Sequence, residues 1–514
     1  MPTGAQCLLQ TAADAGVTVC FANPGTTEMP LVAALDSVPE VRAVLGLFEG
    51  VCTGAADGFG RMTGRPALTL LHLGPGFGNG IANLHNARRA RSPIVNLIGD
   101  QASWHLGYDA PLTSDIAGLA RPVSGWVRSA ASSKRLADDV AEAIAAAAGP
   151  PGSVASLIVP ADVQSGEGTG LVAVRTIDGP QMVEDRTIAI AADRLRKNAP
   201  SAILLGGDAL GEAGQLAAAR IAATTGSLLF AETFPSRWER GRHLPSIQKL
   251  PYFPEQAIQA LGGVETLLLA GSLEPVAFFG YEGLPSRLAP ADSALRLAEP
   301  GEDVEGSLEA LADALGAAPW DAPEVAPTRL PDAAEALNPA VVGSVLAGCL
   351  PKDAIVVDEA ATTGPPFYPA SAGAPRHTVI GLTGGAIGQG LPCAVGAAIA
   401  CPERKIIAFQ ADGSGQYTLQ SLWTMAREAL DVVVLICANR SYRILEVELA
   451  RAGVAEPGPQ ARRLTSLESP ALDWVHLANG YGVPARRVET AGALVEALQN
   501  GLREPGPQLI EMVL

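Results

Sequence analysis

Cysteine is sparse in this 514-residue chain and follows no pattern. Cys7, Cys20, Cys52, Cys349, Cys393, Cys401 and Cys437 form an odd, scattered set without a C-x-x-C, which excludes a disulfide framework and suits buried thiols in a reducing compartment. Basic charge is short as well, with 36 Lys and Arg against 53 Asp and Glu for a net charge of −17. Counterion release from a nucleic acid needs a cationic surface, so a nucleic-acid partner is excluded. A phosphate-bearing ligand would have to be met locally, by backbone N–H groups, hydroxyls or a divalent cation. The first basic residue is Arg42, so the start of the chain lacks the cationic region of a secretory signal. Unbroken apolar runs of spanning length are missing too. Residues 143–161 are interrupted by Gly149-Pro150-Pro151-Gly152, and residues 377–402 hold six glycines and Pro392. The expectation is a cytoplasmic protein with no membrane partner.

Common cofactor and hydrolase signatures are also absent. The glycine runs at 74–80 and 384–390 do not fit G-x-G-x-x-G, and neither G-x-x-x-x-G-K-[ST] nor H-E-x-x-H occurs. Gly413-Ser414-Gly415 is not the hydrolase elbow G-x-S-x-G. A nicotinamide dehydrogenase, a P-loop enzyme and a serine hydrolase therefore lose their sequence support.

What the chain does carry is a β/α rhythm. Its hydrophobic content of 48% is enough for several cores, and at roughly 150 residues per domain the length fits about three. Buried-strand runs at 17–21, 41–48, 67–73 and 93–98 alternate with Ala-rich helical segments. The same rhythm returns at 202–205, 227–230 and 265–269, and again at 354–357, 405–409, 432–437 and 508–513. Strands alternating with helices imply parallel sheets covered on both faces. The Gly, Ser and Thr of 165–180 and the Pro and Ala of 317–339 suit connections. The expectation is an α/β chain of three doubly wound parallel-sheet domains, at 1–165, 185–320 and 338–514.

The segment 405–442 is the most informative. A β run ends in Asp412-Gly413-Ser414-Gly415, a helix with apolar residues at 419, 422, 423, 426 and 430 follows, and a second β run ends at Asn439-Arg440-Ser441-Tyr442. This βαβ unit sets Asp412 and Asn439 at the carboxyl ends of parallel strands, the edge where open α/β sheets bind ligands. A carboxylate, an amide oxygen and loop carbonyls make a hard-oxygen set suited to Mg²⁺. Gly413 and Gly415 would let the backbone approach a phosphate, beside the start of a helix spanning 418–430. Taken alone, either half reads better as an ordinary turn.

With 26 residues between Asp412 and Asn439, the pair resembles the thiamine-diphosphate motif of Gly-Asp-Gly and a later Asn, with Ala411 replacing the first glycine. Near the N-terminus, Leu47-Phe48-Glu49-Gly50 stands ahead of Ala55-Ala56-Asp57-Gly58-Phe59-Gly60-Arg61. This is similar to the E…A-A-D-G-Y-A-R of the family that holds 2-oxo acid decarboxylases and acetolactate synthases. The resemblance covers essentially the whole chain. It implies a pyrimidine-binding, a middle and a diphosphate-binding domain, with thiamine diphosphate and Mg²⁺ as cofactors. It also implies a homodimer or homotetramer with active sites at the subunit interface. The implied reaction is decarboxylation of a small-molecule 2-oxo acid, the enamine being either protonated to an aldehyde or ligated to a second carbonyl compound.

On this resemblance Glu49 hydrogen-bonds the aminopyrimidine and promotes proton loss from thiazolium C2. Asp412, Asn439 and the Ser441 carbonyl hold the metal, with Gly413, Ser414 and Tyr442 around the cofactor. Asn23-Pro24-Gly25-Thr26-Thr27-Glu28 is similar to the N-P-G-S-x-E loop of benzoylformate decarboxylases. That similarity sets Gly25 by the cofactor, Thr26 in the place of an active-site serine and His72 in that of an active-site histidine. Gly74-Pro75-Gly76, read as a glycine-rich turn after His72, resembles acetolactate synthases instead. Asp358-Glu359, Thr362-Thr363 and residues 381–392 resemble the diphosphate and pyrimidine platform. There Ile387 would lie under the cofactor, the Gly385 carbonyl would accept from its amine and Thr362 would meet the diphosphate.

Several departures leave alternatives open. The second histidine of benzoylformate decarboxylases is missing from residues 275–281, PVAFFGY. Glu448 either lines the substrate pocket or lies on a solvated helix face, and Trp104-His105 either closes the pocket or packs structurally. FAD, carried by many synthases, stays open and is not favoured. A non-catalytic binding protein of this fold would be marked by loss of Glu49, Asp412 or Asn439, and all three are present.

Overall fold

The computed structural model describes residues 1–197 and 199–514. Two compact units emerge, one built from Met1–Ile177 with Pro327–Leu514 and the other from Asp178–Ala326. Three parallel α/β sheets are distributed over them.

The first sheet holds β1 (Val19–Asn23), β2 (Arg42–Leu45), β3 (Ala67–Leu71), β4 (Ile94–Asp100), β5 (Trp126–Ser129) and β6 (Val154–Pro160), in the order β2-β1-β3-β4-β6-β5. The second unit contains β7 (Ser201–Leu205), β8 (Leu228–Ala231), β9 (Trp238–Arg240), β10 (Gln248–Lys249), β11 (Thr266–Ala270) and β12 (Ala294–Ala298). Its sheet runs β10-β8-β7-β11-β12. The C-terminal part of the first unit supplies β13 (Ala354–Glu359), β14 (His377–Gly381), β15 (Ile406–Ala411), β16 (Val432–Ala438), β17 (Ala485–Val488) and β18 (Gln508–Val513), ordered β17-β18-β16-β15-β13-β14.

Residue choice explains the pattern. Strands β4 and β16 are buried at every position, as strands covered on both faces are; β16 is an unbroken apolar run, and in β4 the one interior polar residue, Asn96, is paired with Thr69 and Ser156. Edge strands β5 and β17 carry Trp126-Val127-Arg128-Ser129 and Ala485-Arg486-Arg487-Val488, half-exposed and without an apolar run, so the sequence rhythm passes over them. The helix predicted over 418–430 is shorter, Ser421–Arg427, and Asp412–Gly415 forms a helical turn of its own. Likewise Gly74-Pro75-Gly76 is no turn but lies in the helix Leu73–Ala90. Among the described residues no helix is long and apolar enough to cross a membrane.

Strand order reverses between β1 and β3 and again between β13 and β15. Loops leaving two such strands diverge to opposite faces and open a crevice at the carboxyl edge. The helices behind these edges are locked together. The helix Glu49–Thr63 crosses the helix Gly390–Ala400 so closely that a Cβ on Gly396 would collide with the Ala55 carbonyl, and one on Gly58 with the Cys393 main chain. Beside the crossing, the buried Asp57 and Arg61 pair at 2.6 and 2.8 Å, and Arg61 Nη1 donates to the Gly381 carbonyl at 2.7 Å. Gly396→Ala should therefore destabilise this unit by about 3 kcal/mol, the upper end for an overpacked core site, as read by chemical denaturation. An unchanged midpoint would contradict so close a crossing.

Candidate active site

At the reversal between β1 and β3, the loop after β1 meets His72, the residue that follows β3 and caps the helix Leu73–Ala90. Glu28 is fully buried there and gathers three donors. Its carboxylate accepts from Gly25 N at 2.7 Å and Thr27 Oγ1 at 2.6 Å, and it lies 2.7 Å from His72 Nδ1. Gly25 lies flat against the imidazole, where a Cβ would overlap the ring. Leu73 has φ 47°, a left-handed conformation that a side chain adopts only under constraint, and it turns the chain sharply behind His72. Thr26 is exposed, one residue before the Thr27 hydroxyl that reaches Glu28 and, at 3.4 Å, His72.

Glu49 opens its helix just after β2, where an acid suits the helix dipole. Its carboxylate is half-buried, accepts from Asn79 Nδ2 at 3.0 Å and lies over Gly76. Asn83, one turn further along the Asn79 helix, donates to the Gly50 carbonyl at 2.8 Å and to that of Gly388 at 3.4 Å. It thereby ties the Glu49 helix to the glycine loop ahead of Gly390. Asn86 holds the same loop through Ala386 O at 2.7 Å, and His85 Nε2 lies 3.1 Å from Gly384 O. Gly385 and Gly388 have φ 76° and 96°, and Ile387 between them is partly exposed.

Asp412 and Asn439 come together at the carboxyl ends of the paired strands β15 and β16. Arg440, at φ 57°, turns its N–H onto Asp412 Oδ2 at 2.7 Å, while Gly413 N donates to Oδ1 at 2.9 Å and Ser441 N to Asn439 Oδ1 at 3.0 Å. Burial pushes the Asp412 carboxyl above the ordinary carboxylate range, against the pull of these N–H groups. A cation would relieve that cost, so the donor set fits a divalent metal. Among the described residues no three His, Cys, Asp or Glu side chains cluster as a metal cage. A metal here would thus rest on Asp412, Asn439 and a main-chain carbonyl such as that of Ser441, leaving positions for phosphate oxygens. Gly413 and Gly415 also serve packing, since a Cβ would meet the Tyr442 ring at 2.6 Å and the Trp474 ring at 2.8 Å respectively. Burial, with Tyr417 beside it, pushes the Tyr442 phenol up. Ser414 is buried, and Thr362 is half-buried in the loop after β13.

Two residues of this region have no role in the sequence reading. Glu28 was legible only as the end of the Asn-Pro-Gly loop, although a carboxylate three residues after Gly25 is the spacing that returns to a backbone N–H. Glu359, buried at the end of β13, accepts from Gly388 N and Gly390 N, each at 2.6 Å, from Gln389 N at 3.3 Å and from Gln410 Nε2 at 3.0 Å. Trp104 is 73% exposed and, among the described residues, its ring meets only that of its neighbour His105, edge-on, so it is not packed structurally. Glu448 lies on the helix Arg443–Arg451, which has no buried residue, 3.7 Å from Arg451.

In the second unit, FAD would be expected at that sheet's own strand-order reversal, between β7 and β11. There Gly206 and Gly271 press backbone to backbone, and Asp208, Glu232 and Glu305 stand around them. Burial, then the carboxylates of Asp208 and Asp303, push the Glu305 carboxyl upward. An acidic, closed edge does not fit a dinucleotide's diphosphate.

Because Glu28 satisfies one main-chain and two side-chain partners, Glu28→Ala should cost about 1–3 kcal/mol of stability, and His72→Ala, whose ring is partly exposed, less. Equal losses in urea titrations would contradict Glu28 as the anchor of this loop.

Residues 2–119 match the family described as thiamine pyrophosphate enzyme, N-terminal TPP binding domain, and residues 367–512 match thiamine pyrophosphate enzyme, C-terminal TPP binding domain. The sequence is 48% identical, over 99% of both chains, to a Mycobacterium tuberculosis protein named as an acetolactate synthase large subunit, IlvX. It is 31% identical to benzoylformate decarboxylase of Pseudomonas aeruginosa, over 97% of this chain and 96% of that one. The solved thiamine diphosphate-dependent 4-hydroxybenzoylformate decarboxylase of Rhodococcus jostii RHA1 superposes with a TM-score of 0.85 at 26% identity, covering 99% of this chain and 98% of that one. With strand-edge residues and whole-chain similarity in agreement, this chain is an enzyme of the thiamine pyrophosphate family that holds the 2-oxo acid decarboxylases and acetolactate synthases.

Proposed function

We propose that the protein decarboxylates a small 2-oxo acid with thiamine diphosphate and Mg²⁺, in the cytoplasm, as a homodimer or homotetramer whose active sites lie between subunits. One observation carries the reading: an Asp412–Asn439 metal set at one strand-edge crevice accompanies a Glu49 carboxylate and a Glu28–His72 pair at the edge of another sheet. When bound, thiamine diphosphate supplies the electron sink that lets a 2-oxo acid lose CO₂.

The chain's own residues do the rest. Asp412, Asn439 and the Ser441 carbonyl hold the metal, and Gly413 and Ser414 border the diphosphate together with Thr362. Tyr442 closes over Gly413. The Gly385 carbonyl and Ile387 shape the pyrimidine side of the loop that Asn86 and Glu359 fix. Glu49, half-buried and steadied by Asn79, takes and returns a proton at the pyrimidine. His72 has Nδ1 turned to Glu28, so its Nε2 is the nitrogen that serves substrate and product. Gly25 makes room for that ring, and the exposed Thr26 hydroxyl sits at the mouth.

A site shared between copies is supported by what the strand edges expose. Leu47, Met29, Trp104 and Tyr108 are exposed in the segments that follow β2, β1 and β4, on the same edge as Glu49 and His72. Tyr417 and Leu445 are exposed beside the metal set. Apolar surface of this kind around a functional edge is the mark of a contact surface. All seven cysteines are free, as suits a reducing compartment.

Glu49→Ala is expected to abolish turnover across a 2-oxo acid panel with thiamine diphosphate and Mg²⁺, while its circular dichroism stays that of the parent. Recording CO₂, aldehyde and acyloin together separates protonation from ligation. Full activity of the variant would sink the assignment of Glu49.

A further inference from the structure

Resting on thiamine diphosphate as the cofactor of this site, we infer that Glu359, Gln410 and Ser414 are positioning residues that couple the metal–diphosphate turn to the loop shaping the pyrimidine side. The three stand in line across the crevice between β13 and β15. Ser414 belongs to the Asp412–Gly415 turn, Gln410 lies two residues before Asp412 on β15, and Glu359 ends β13. Gln410 Nε2 donates to Ser414 Oγ at 2.5 Å and to Glu359 Oε2 at 3.0 Å. Glu359 in turn receives the N–H groups of Gly388, Gln389 and Gly390, the stretch immediately after Ile387.

The chain of bonds is buried throughout. Gln410 is 0% exposed, Glu359 4% and Ser414 6%. Water cannot replace a lost partner there, so a shift at one end must be passed on or leave a buried group unsatisfied. Gly390 is the only residue type that fits beside the line, because a Cβ would overlap the Gln410 carboxamide and lie 2.9 Å from Glu359 Oε2. Ser414 sits two residues from Asp412, whose carboxylate answers to the metal. The loop of Gly385 and Ile387 is at the far end. Metal and diphosphate bound at Asp412 therefore tighten a loop that they do not touch.

Mg²⁺ with inorganic pyrophosphate, which lacks any pyrimidine, isolates that coupling in the full-length protein. Titration calorimetry reads its binding, and hydrogen–deuterium exchange reads residues 384–390. In the parent protein the pair should bind and slow exchange of this loop by about tenfold, the scale of one hydrogen bond to a charged group. Gln410→Leu removes both donors without changing the strand; it should bind the probe within about threefold of the parent yet lose the loop protection. Gln410→Met, unbranched and close to glutamine in length, should do the same and guards against misfolding of the first variant. Equal loop protection in parent and variants would overturn the inference, as would binding by the parent without loop protection. If the parent binds neither the probe nor thiamine diphosphate, the cofactor assignment itself falls, a result distinct from lost coupling.

Discussion

A carboxylate taken out of water has to collect donors, and the two ends of this site are organised around that requirement. Glu28 and Glu359 are both buried, and each stands at the reversal of strand order in its own sheet. Glu28 draws in Gly25, Thr27 and His72; Glu359 draws in three consecutive N–H groups of the glycine loop and the Gln410 amide. Neither acid needs to meet a reactant to matter. Each converts a polar loop, otherwise free to wander at a sheet edge, into a fixed surface on which a neighbouring group can act. The burial that pushes the Glu359 carboxyl upward is what makes its donors indispensable.

The second constraint is distance between helices. The Glu49 helix and the Gly390 helix each begin at a functional loop, and they cross where Gly58 and Gly396 leave no room for a side chain. Their starting points are therefore fixed relative to one another by backbone contact, with Asn83 bridging Gly50 and Gly388 above the crossing. A buried pair, Asp57 and Arg61, then reaches Gly381 at the end of β14. Sequence segments hundreds of residues apart are thereby built into one unit.

The fold was legible because its central strands are dominated by aliphatic residues: β4, β7, β11, β15 and β16 stand out from the sequence as buried runs. Edge strands such as β5 and β17, with their arginines and half-exposed faces, carry no such signal. Asp412, Asn439, Glu49 and His72 were legible as motif residues at strand ends. The partners that fix them were not. Glu28 was hidden behind the threonines of its loop, and Glu359 behind its neighbour Asp358, because burial and long-range donors leave no local trace. The glycines of 74–80 misled in the other direction, since Leu73 at positive φ starts a helix where turn chemistry suggests a loop. At Gly413 and Gly415 a reading made for phosphate approach was incomplete, because Tyr442 and Trp474 also claim that space.

The proposed chemistry depends on a Glu49 half and an Asp412 half meeting, and exposed apolar residues at both edges point to two copies as the way they do so. Co-expression of Glu49→Ala and Asp412→Ala chains with different tags, followed by purification of the mixed oligomer, tests this directly. If the halves meet between subunits, one site of each mixed pair is intact and about half of the parental 2-oxo acid turnover per oligomer should return from two inactive chains. A mixed oligomer as inactive as either variant alone would contradict it.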